Sequence, residues 1–242
     1  LVDLHSHILP GLDDGARTID ETIALAKQSV QEGVTHMVCT PHVHPSVFDN
    51  TESTIQEAFE AAVDAIHQHN IPLKMAYAAE VRLSIEIIEW IQAKSIPFLG
   101  SLDNKKVLLL ELPHSHIPAG TDNLVNWLTN QGIQPVIPHP ERNREIMANY
   151  EKVRWLKNLG CLFQMTAGAV TGRFRKESED IAWRMLEDDL VTYVASDLHN
   201  LHKRPNDMGT AYKKVKEVIG QTKAQMLFQN VPAHITQSKA WY

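Results

Sequence analysis

The sequence predicts an α/β fold built from repeated strand–helix units. Three observations carry this: short apolar segments alternate with longer segments of helical period along all 242 residues, seven such units follow one another, and no linker interrupts them. Seven units suggest a closed barrel of parallel strands, with an open doubly wound sheet as the alternative. The chain has no Pro/Gly/Ser-rich stretch, low-complexity tract or charge block, so residues 1–242 read as one domain. At 43% hydrophobic and 21% charged, it is long enough to bury a full core.

Strands are expected near 1–7, 35–41, 73–79, 106–112, 134–138, 161–166 and 191–197. Helices are expected over 18–33, 52–70, 83–94, 121–132, 149–159 and 177–189, with 206–220 and 222–229 after the last strand. Thr18-Ile-Asp-Glu21 and Thr51-Glu-Ser-Thr54 place a hydroxyl just before a periodic run, with acids in the first turn, as a helix start requires. Gly33, Gly132 and Gly160 fall where helices should stop.

Bulk properties exclude several classes. No apolar run approaches the roughly 20 residues of a membrane helix, and no basic segment leads into an apolar signal core, so a soluble cytoplasmic protein is expected. Cys39 and Cys161 are too few for a disulfide framework and lack CxxC spacing, in keeping with a reducing compartment. A net charge of −6 opposes nucleic-acid binding by phosphate neutralisation. Neither cysteine has an Arg six positions on, where Pro45 and Ala167 stand, so a cysteinyl phosphatase loop is excluded. No G-x-x-x-x-G-K-[ST] or strand-linked G-x-G-x-x-G is present.

In a barrel of parallel strands, function gathers at the C-terminal strand ends. Strand one ends in His5-Ser-His7, followed by Asp13-Asp14-Gly15, and strand two ends in Cys39-Thr-Pro-His42-Val-His44. Strand three ends in Ala78-Ala-Glu80, strand four in Leu110-Glu111, strand five in His139-Pro-Glu-Arg142 and strand seven in Asp197-Leu-His199. Only strand six, ending Gln164-Met-Thr-Ala-Gly168, offers no evident metal ligand.

One His-x-His pair is more often coincidence than a site. Six polar strand ends out of seven are not, because buried acids and histidines are costly unless paired or bound to a cation. Alternation of side chains turns His5 and His7 the same way, and likewise Asp197 and His199. Nine residues are therefore candidate ligands: His5, His7, Asp14, His42, Glu80, Glu111, His139, Asp197 and His199. Imidazoles and carboxylates without thiolates suit Mn, Fe or Zn, and nine ligands exceed what one ion uses, so two or three ions fit. Among the remaining histidines, His36 starts a strand, His67 and His69 end a helix, and His234 falls in a polar tail; His44, His114, His116 and His202 lie beside the site, read first as solvated loop residues and second as residues that support the centre or gate the substrate.

These residues resemble the motifs of the PHP (polymerase and histidinol phosphatase) superfamily, in order His5-Ser-His7, His42, Glu80 with His139, and Asp197-Leu-His199. Asp3-Leu-His-Ser-His7, Asp13-Asp-Gly15, Ala79-Glu80, His139-Pro-Glu-Arg142 and Ala195-Ser-Asp-Leu-His-Asn200 with Arg204-Pro are similar, more closely, to the bacterial manganese-dependent protein-tyrosine phosphatases of capsule and exopolysaccharide loci. The resemblance implies a distorted (β/α)7 TIM-like barrel with a trinuclear site, manganese being the expected metal. On it, His5, His7, Glu80 and Asp197 serve one ion, Glu80, Glu111 and His139 a second, and Asp14, His42 and His199 a third. Asp13 stands beside Asp14 as an alternative ligand. Arg142 and Arg204 match the arginines that contact phosphate.

The chemistry expected is phosphomonoester hydrolysis by attack of a metal-activated hydroxide, with both arginines gripping phosphoryl oxygens. Phenol, with a solution pKa of about 10, leaves with little protonation, so no general acid is named. The expected substrate is a phosphotyrosine protein, a bacterial tyrosine autokinase controlling polysaccharide export. Peripheral contact with a membrane-bound kinase and self-association are both compatible with this. A histidinol-phosphate-type small-molecule phosphatase is the runner-up, ahead of a phosphodiesterase or nuclease and of a non-catalytic metal-stabilised binding module. Arg144, Arg173, Arg175, Lys176 and Lys203 join Arg142 and Arg204 in loops after strands five to seven, as a basic rim that steers an anionic substrate or as solvated charge.

Overall fold

A computed structural model describes residues 1–242. Its strands are β1 (Val2–Asp3), β2 (His36–Cys39), β3 (His42–Val43), β4 (Lys74–Tyr77), β5 (Glu80–Arg82), β6 (Gly100–Leu102), β7 (Lys105–Glu111), β8 (Ile133–Pro138), β9 (Leu162–Thr166) and β10 (Tyr193–Ala195). All neighbouring strands pair in parallel except β6, which folds back on β7. Each long helix follows a strand and covers the sheets from outside, as parallel connections require.

Where one ring of seven strands was expected, the pairing divides into two sheets: β1-β2-β4, and β10-β9-β8-β7-β5-β3 with β6 at the side of β7. The division falls at Thr40-Pro41 and Ala78-Ala79. Pro41 has no N–H to give the ladder, so β2 ends and β3 begins one step further on. Across the break the backbone stays tied, Ala78 N–H donating to Cys39 O at 2.8 Å and Glu80 N–H to Pro41 O at 3.1 Å. The outer strands β1 and β10 meet through a Ser6–Leu198 bridge, with Asp197 N–H donating to His5 O at 2.9 Å and His7 N–H to Leu198 O at 2.8 Å.

The apolar core has two parts. A large one lies between sheets and helices. A smaller one gathers strand residues of both sheets, Leu4, Val38, Ala76, Ala78, Val107, Leu109, Val136, Tyr193 and Ala195 among them. Helix starts follow the sequence: the Thr18 hydroxyl accepts Glu21 N–H, and Thr51 forms a reciprocal box with Thr54. Gly33, Gly132 and Gly160 end helices at φ of 83°, 73° and 93°. His234 lies in the short helix Val231–Ile235, not in an irregular tail. No helix is long and apolar enough to cross a membrane.

Candidate metal centre

The strand rows of the smaller apolar core lead directly to the polar cluster. Following alternate residues, Val38-Thr40 continues to His42, Ala76-Ala78 to Glu80, Val107-Leu109 to Glu111, and Tyr193-Ala195 to Asp197. Each row begins in the smaller apolar core and turns ionisable at its C-terminal end, Thr40 being the one polar step before it. The first strand differs, because its inward row is Val2 and Leu4; regular pairing stops at Asp3, and His5 and His7 reach the centre from the irregular stretch beyond. His139 and Asp197 bend in with φ of 38° and 54°, a left-handed conformation that non-glycine residues adopt at a cost and that clusters at functional positions.

The structure brings all nine candidate ligands together. His5 Nε2 lies 3.0 Å from His7 Nε2, 3.2 Å from Glu80 Oε2 and 3.3 Å from Asp197 Oδ1. His42 Nδ1 is 3.0 Å from Glu80 Oε2 and 3.7 Å from Glu111 Oε2, while its Nε2 is 3.4 Å from Asp14 Oδ1. His199 Nε2 is 3.2 Å from the same Asp14 oxygen, and His139 Nε2 is 2.9 Å from Glu80 Oε1. Three overlapping groups have donor atoms close enough to share an ion: His5, His7 and Glu80; His7, Asp14, His42 and His199; and His42, Glu80 and Glu111. His42 thus touches both the Asp14 side and the Glu80–Glu111 side.

Behind these residues stands a layer that orients them. Asp13 turns away from the centre: Oδ2 accepts from His7 Nδ1 at 2.7 Å and from His42 N–H at 3.0 Å, and Oδ1 accepts Gly15 N–H at 2.9 Å. Gly15 is glycine because an added Cβ would sit 2.0 Å from His7 O. Gln164, passed over in the sequence because it is uncharged, places Oε1 2.8 Å from His5 Nδ1. Arg82, also missed, stands 3.1 Å from Glu111 Oε2 and donates to Leu112 O. Phe48 stacks on His42 with centroids 5.4 Å apart. Asp3 holds backbone and an amide side chain rather than a histidine ring, accepting Ser196 N–H at 2.9 Å, Asn206 Nδ2 at 3.3 Å and His5 N–H at 3.4 Å.

The electrostatics fit a cation. Burial opposes charge throughout, yet His5 and His42 hold Glu80 well below the usual carboxylate range, and Arg204 and His5 do so for Asp197. Against the same burial, Asp13 drives His7 well above its ordinary value, and Glu80 raises His42 to about 10. Burial pushes His139 down to about 3 and His199 to about 4, so each imidazole is neutral and keeps a lone pair on one ring nitrogen. Burial and the neighbouring Glu80 charge lift Glu111 to about 7. The carboxylates make a field that draws positive charge, and protons or divalent cations satisfy it alike. Four buried atoms in this cluster have no hydrogen-bond partner: His42 Nδ1, Glu80 Oε2, Asp197 Oδ1 and His199 Nε2. Leaving each unsatisfied costs about 1–3 kcal/mol or more, and a shared cation removes the cost.

Two arginines flank the cluster. Arg142 Nη1 and Arg204 Nη2 donate to Asp197 Oδ2 at 2.5 and 2.6 Å, leaving Oδ1 of that carboxylate for the histidines. His114, expected as a solvated loop residue, stacks on His139 and approaches Arg142. Cys39 and Cys161 are buried and free, and burial pushes both thiols up, to about 12 for Cys161, so neither serves as a nucleophile.

A parallel α/β frame whose strand ends converge on imidazoles, carboxylates and guanidiniums defines a metal-dependent hydrolase of phosphate esters. The sequence profile of the family described as "Capsular polysaccharide synthesis, CpsB/CapC" matches residues 1–237, and the chain belongs to this family. It is 32% identical over 230 residues to the tyrosine-protein phosphatase YwqE of Bacillus subtilis (strain 168), covering 95% of this chain and 89% of that protein. Tyrosine-protein phosphatase CpsB of Streptococcus pneumoniae is 33% identical over 243 residues, 97% of this chain and 98% of CpsB. A solved chain from the crystal structures of YwqE and CpsB, described as unique metal-dependent tyrosine phosphatases, superposes with a TM-score of 0.91 at 30% identity, covering 99% of this chain and 96% of the other.

Proposed function

We infer that this chain is a metal-dependent tyrosine-protein phosphatase that hydrolyses phosphotyrosine in proteins. The observation that carries the reading is the placement of Arg142 and Arg204 on the outer oxygen of Asp197, whose inner oxygen belongs to the nine-residue cluster. Anion grip and cation cluster then share one carboxylate, in a chain whose relatives are named tyrosine-protein phosphatases.

His5, His7, Glu80 and Asp197 would hold one ion, Glu80, Glu111 and His139 a second, and Asp14, His42 and His199 a third; His42 also stands within reach of Glu80 and Glu111, so it could serve the second ion beside His139. Two or three ions, manganese in preference to iron or zinc, suit this all-nitrogen-and-oxygen set. Divalent ions in such a cluster supply an activated water-derived nucleophile at neutral pH and offset phosphoryl charge. Arg142 and Arg204 present planar donor forks to the phosphoryl oxygens and orient the ester. Asp13 and Gln164 fix the ring planes of His7 and His5. Tyrosine's phenolate leaves without requiring a strong acid, and no side chain is assigned that task.

The two sheets are read as parts of one distorted seven-position barrel within a single domain spanning 1–242. Support comes from the Ser6–Leu198 bridge and from the smaller core, to which β1, β2, β4, β7, β8 and β10 all contribute. The proposed partner is a bacterial tyrosine kinase of capsule synthesis, in keeping with the family's description, and the proposed setting is the cytoplasm, in keeping with two free buried thiols.

The deciding assay presents metal-loaded protein with a phosphotyrosine peptide, a phosphoserine peptide, histidinol phosphate and a phosphodiester, with a chelator control. Chelator-sensitive turnover of the phosphotyrosine peptide well above the others is expected. Turnover of histidinol phosphate with none of phosphotyrosine overturns the reading.

A further inference from the structure

His114 stands three residues beyond Glu111, in the loop after β7. Its ring lies nearly parallel to that of His139, with centroids 5.5 Å apart and planes inclined by 16°. Its Nε2 is 3.3 Å from Arg142 Nη2. A guanidinium only donates, so Nε2 is the bare nitrogen that accepts and Nδ1 carries the proton.

The loop itself is fastened to the segment that carries Arg142. His114 O accepts Arg144 N–H at 2.8 Å, and Asn143 Nδ2 donates to Pro113 O at 2.7 Å and His116 O at 3.2 Å. Arg142 is held on two further sides, Nη1 by Asp197 Oδ2 and Cζ over the face of the Phe174 ring, 4.9 Å from its centroid. Two nitrogen contacts and one ring contact hold the guanidinium from three sides. A free arginine gives up about 2 kcal/mol of rotamer entropy when it is immobilised. Here that ordering precedes the arrival of an oxyanion, which is how preorganisation raises affinity.

We propose that His114 is a positioning residue that, with Phe174, holds the Arg142 guanidinium in the orientation from which it grips phosphoryl oxygens. The proposal rests on the phosphatase reading for Arg142's task, and adds the device that aims it. The sequence places His114 beside the site, where a Pro-His-Ser-His loop reads first as solvated polarity and only second as support for the centre.

The test uses the full chain loaded with Mn2+ and four variants: His114→Phe, His114→Gln, Arg142→Ala and the His114→Phe/Arg142→Ala double. Phenylalanine keeps a ring on His139 and deletes the acceptor, whereas glutamine restores an acceptor oxygen. Calorimetric titration with inorganic phosphate reads the grip without turnover; steady-state assays on a phosphotyrosine peptide separate KM from kcat. His114→Phe should weaken phosphate binding and raise KM by about five- to tenfold, the scale of one typical intramolecular hydrogen bond, with kcat and metal content nearly unchanged. His114→Gln should recover most of the loss. The double variant should bind phosphate no more weakly than Arg142→Ala alone, since a residue acting through Arg142 has nothing left to position.

Additive losses in the double variant overturn the proposal, as does unaltered phosphate affinity in His114→Phe. Loss of metal in that variant also overturns it, by assigning His114 to the support of His139. Should His114→Phe fail to fold, Phe174→Leu and His114→Gln decide: Phe174→Leu must weaken phosphate binding, and His114→Gln must preserve it. Wild-type protein that binds phosphate but cleaves no aryl phosphate refutes the phosphatase reading while leaving the positioning of Arg142 to be decided by affinity. Wild-type protein that binds no phosphate refutes both.

Discussion

Asp13 Oδ2 stands 2.7 Å from His7 Nδ1, while the opposite ring nitrogen of His7 faces Glu80 Oε2 and Asp197 Oδ1 at 3.3 and 3.4 Å. The carboxylate fixes the ring's orientation and holds the Nδ1 proton, so that Nε2 is the nitrogen directed inward, where a cation can replace its proton. Two adjacent aspartates therefore divide the work, with Asp13 behind the histidine and Asp14 in front. Asp13→Asn should lower metal affinity by about 10–100-fold while leaving the fold intact, as outer partners of ligating histidines do. Metal titration with a competing chelator measures this; an affinity equal to wild type would sink the assignment.

Gly15 should tolerate no side chain. The turn folds back so closely that Ala16 N–H donates to His7 O at 3.0 Å, and a Cβ on residue 15 would lie 2.0 Å from that oxygen and 2.5 Å from His7 Cβ. Since both neighbours are backbone or its first side-chain atom, neither yields cheaply. Gly15→Ala should displace His7 and Asp13 together, with a loss of about 1–3 kcal/mol as in other overpacked sites. Melting temperature and metal content should fall in parallel; a fall in neither would contradict the geometry.

Arg204 separates anion handling from cation handling. Its Nη2 holds Asp197 Oδ2 at 2.6 Å, but Asp197 keeps a second guanidinium in Arg142 at 2.5 Å. Arg204→Ala should therefore retain metal and reduce kcat/KM for a phosphotyrosine peptide by about 10²–10³, the scale of removing one charged donor from a transition state. Metal loss on dialysis of this variant would place Arg204 in the support of Asp197 instead.

Away from the centre, Lys239 donates to Tyr77 O from a half-buried position, and burial lowers its ammonium from the ordinary 10.5 to about 8. A base depressed in the folded state penalises folding while it is protonated, below pH 8. That penalty fades as pH rises from about 8 toward 10.5, where the unfolded chain still binds the proton. The melting temperature of Lys239→Met relative to wild type should therefore be highest near pH 7 and decline by pH 10. A difference independent of pH over that interval would show that the ammonium is solvated.

Much of this was legible in the sequence because a strand end is a poor place for charge. Glu80, Glu111 and Asp197 each interrupt an apolar row of period two, and nothing but a partner or cation makes that affordable. Gln164 left no such mark: an uncharged amide at the end of a buried strand costs little, and its meaning lies in the 2.8 Å to His5, a contact across 159 residues. The β6–β7 hairpin escaped for another reason. Asp103-Asn104, with φ of 50° and 63°, is a two-residue turn of a favoured type, but a three-residue strand before it carries no measurable periodicity. The division of the sheets at Pro41 follows from a missing N–H, whereas the pairing that bridges it, Glu80 N–H to Pro41 O, is a tertiary fact.

The meeting of Ser6 with Leu198 also sets a schedule for synthesis. Chain emerges from the ribosome at roughly 5–20 residues per second, so His199 follows His5 by about 10–40 s. Throughout that interval the early histidines, and Glu80 after them, lack Asp197, and the outer strands cannot close because Asp197 N–H and Leu198 O are not yet made. Cation capture by the whole cluster is thus reserved for a nearly finished chain, and an aborted polypeptide carries the first motif without the means to complete the centre.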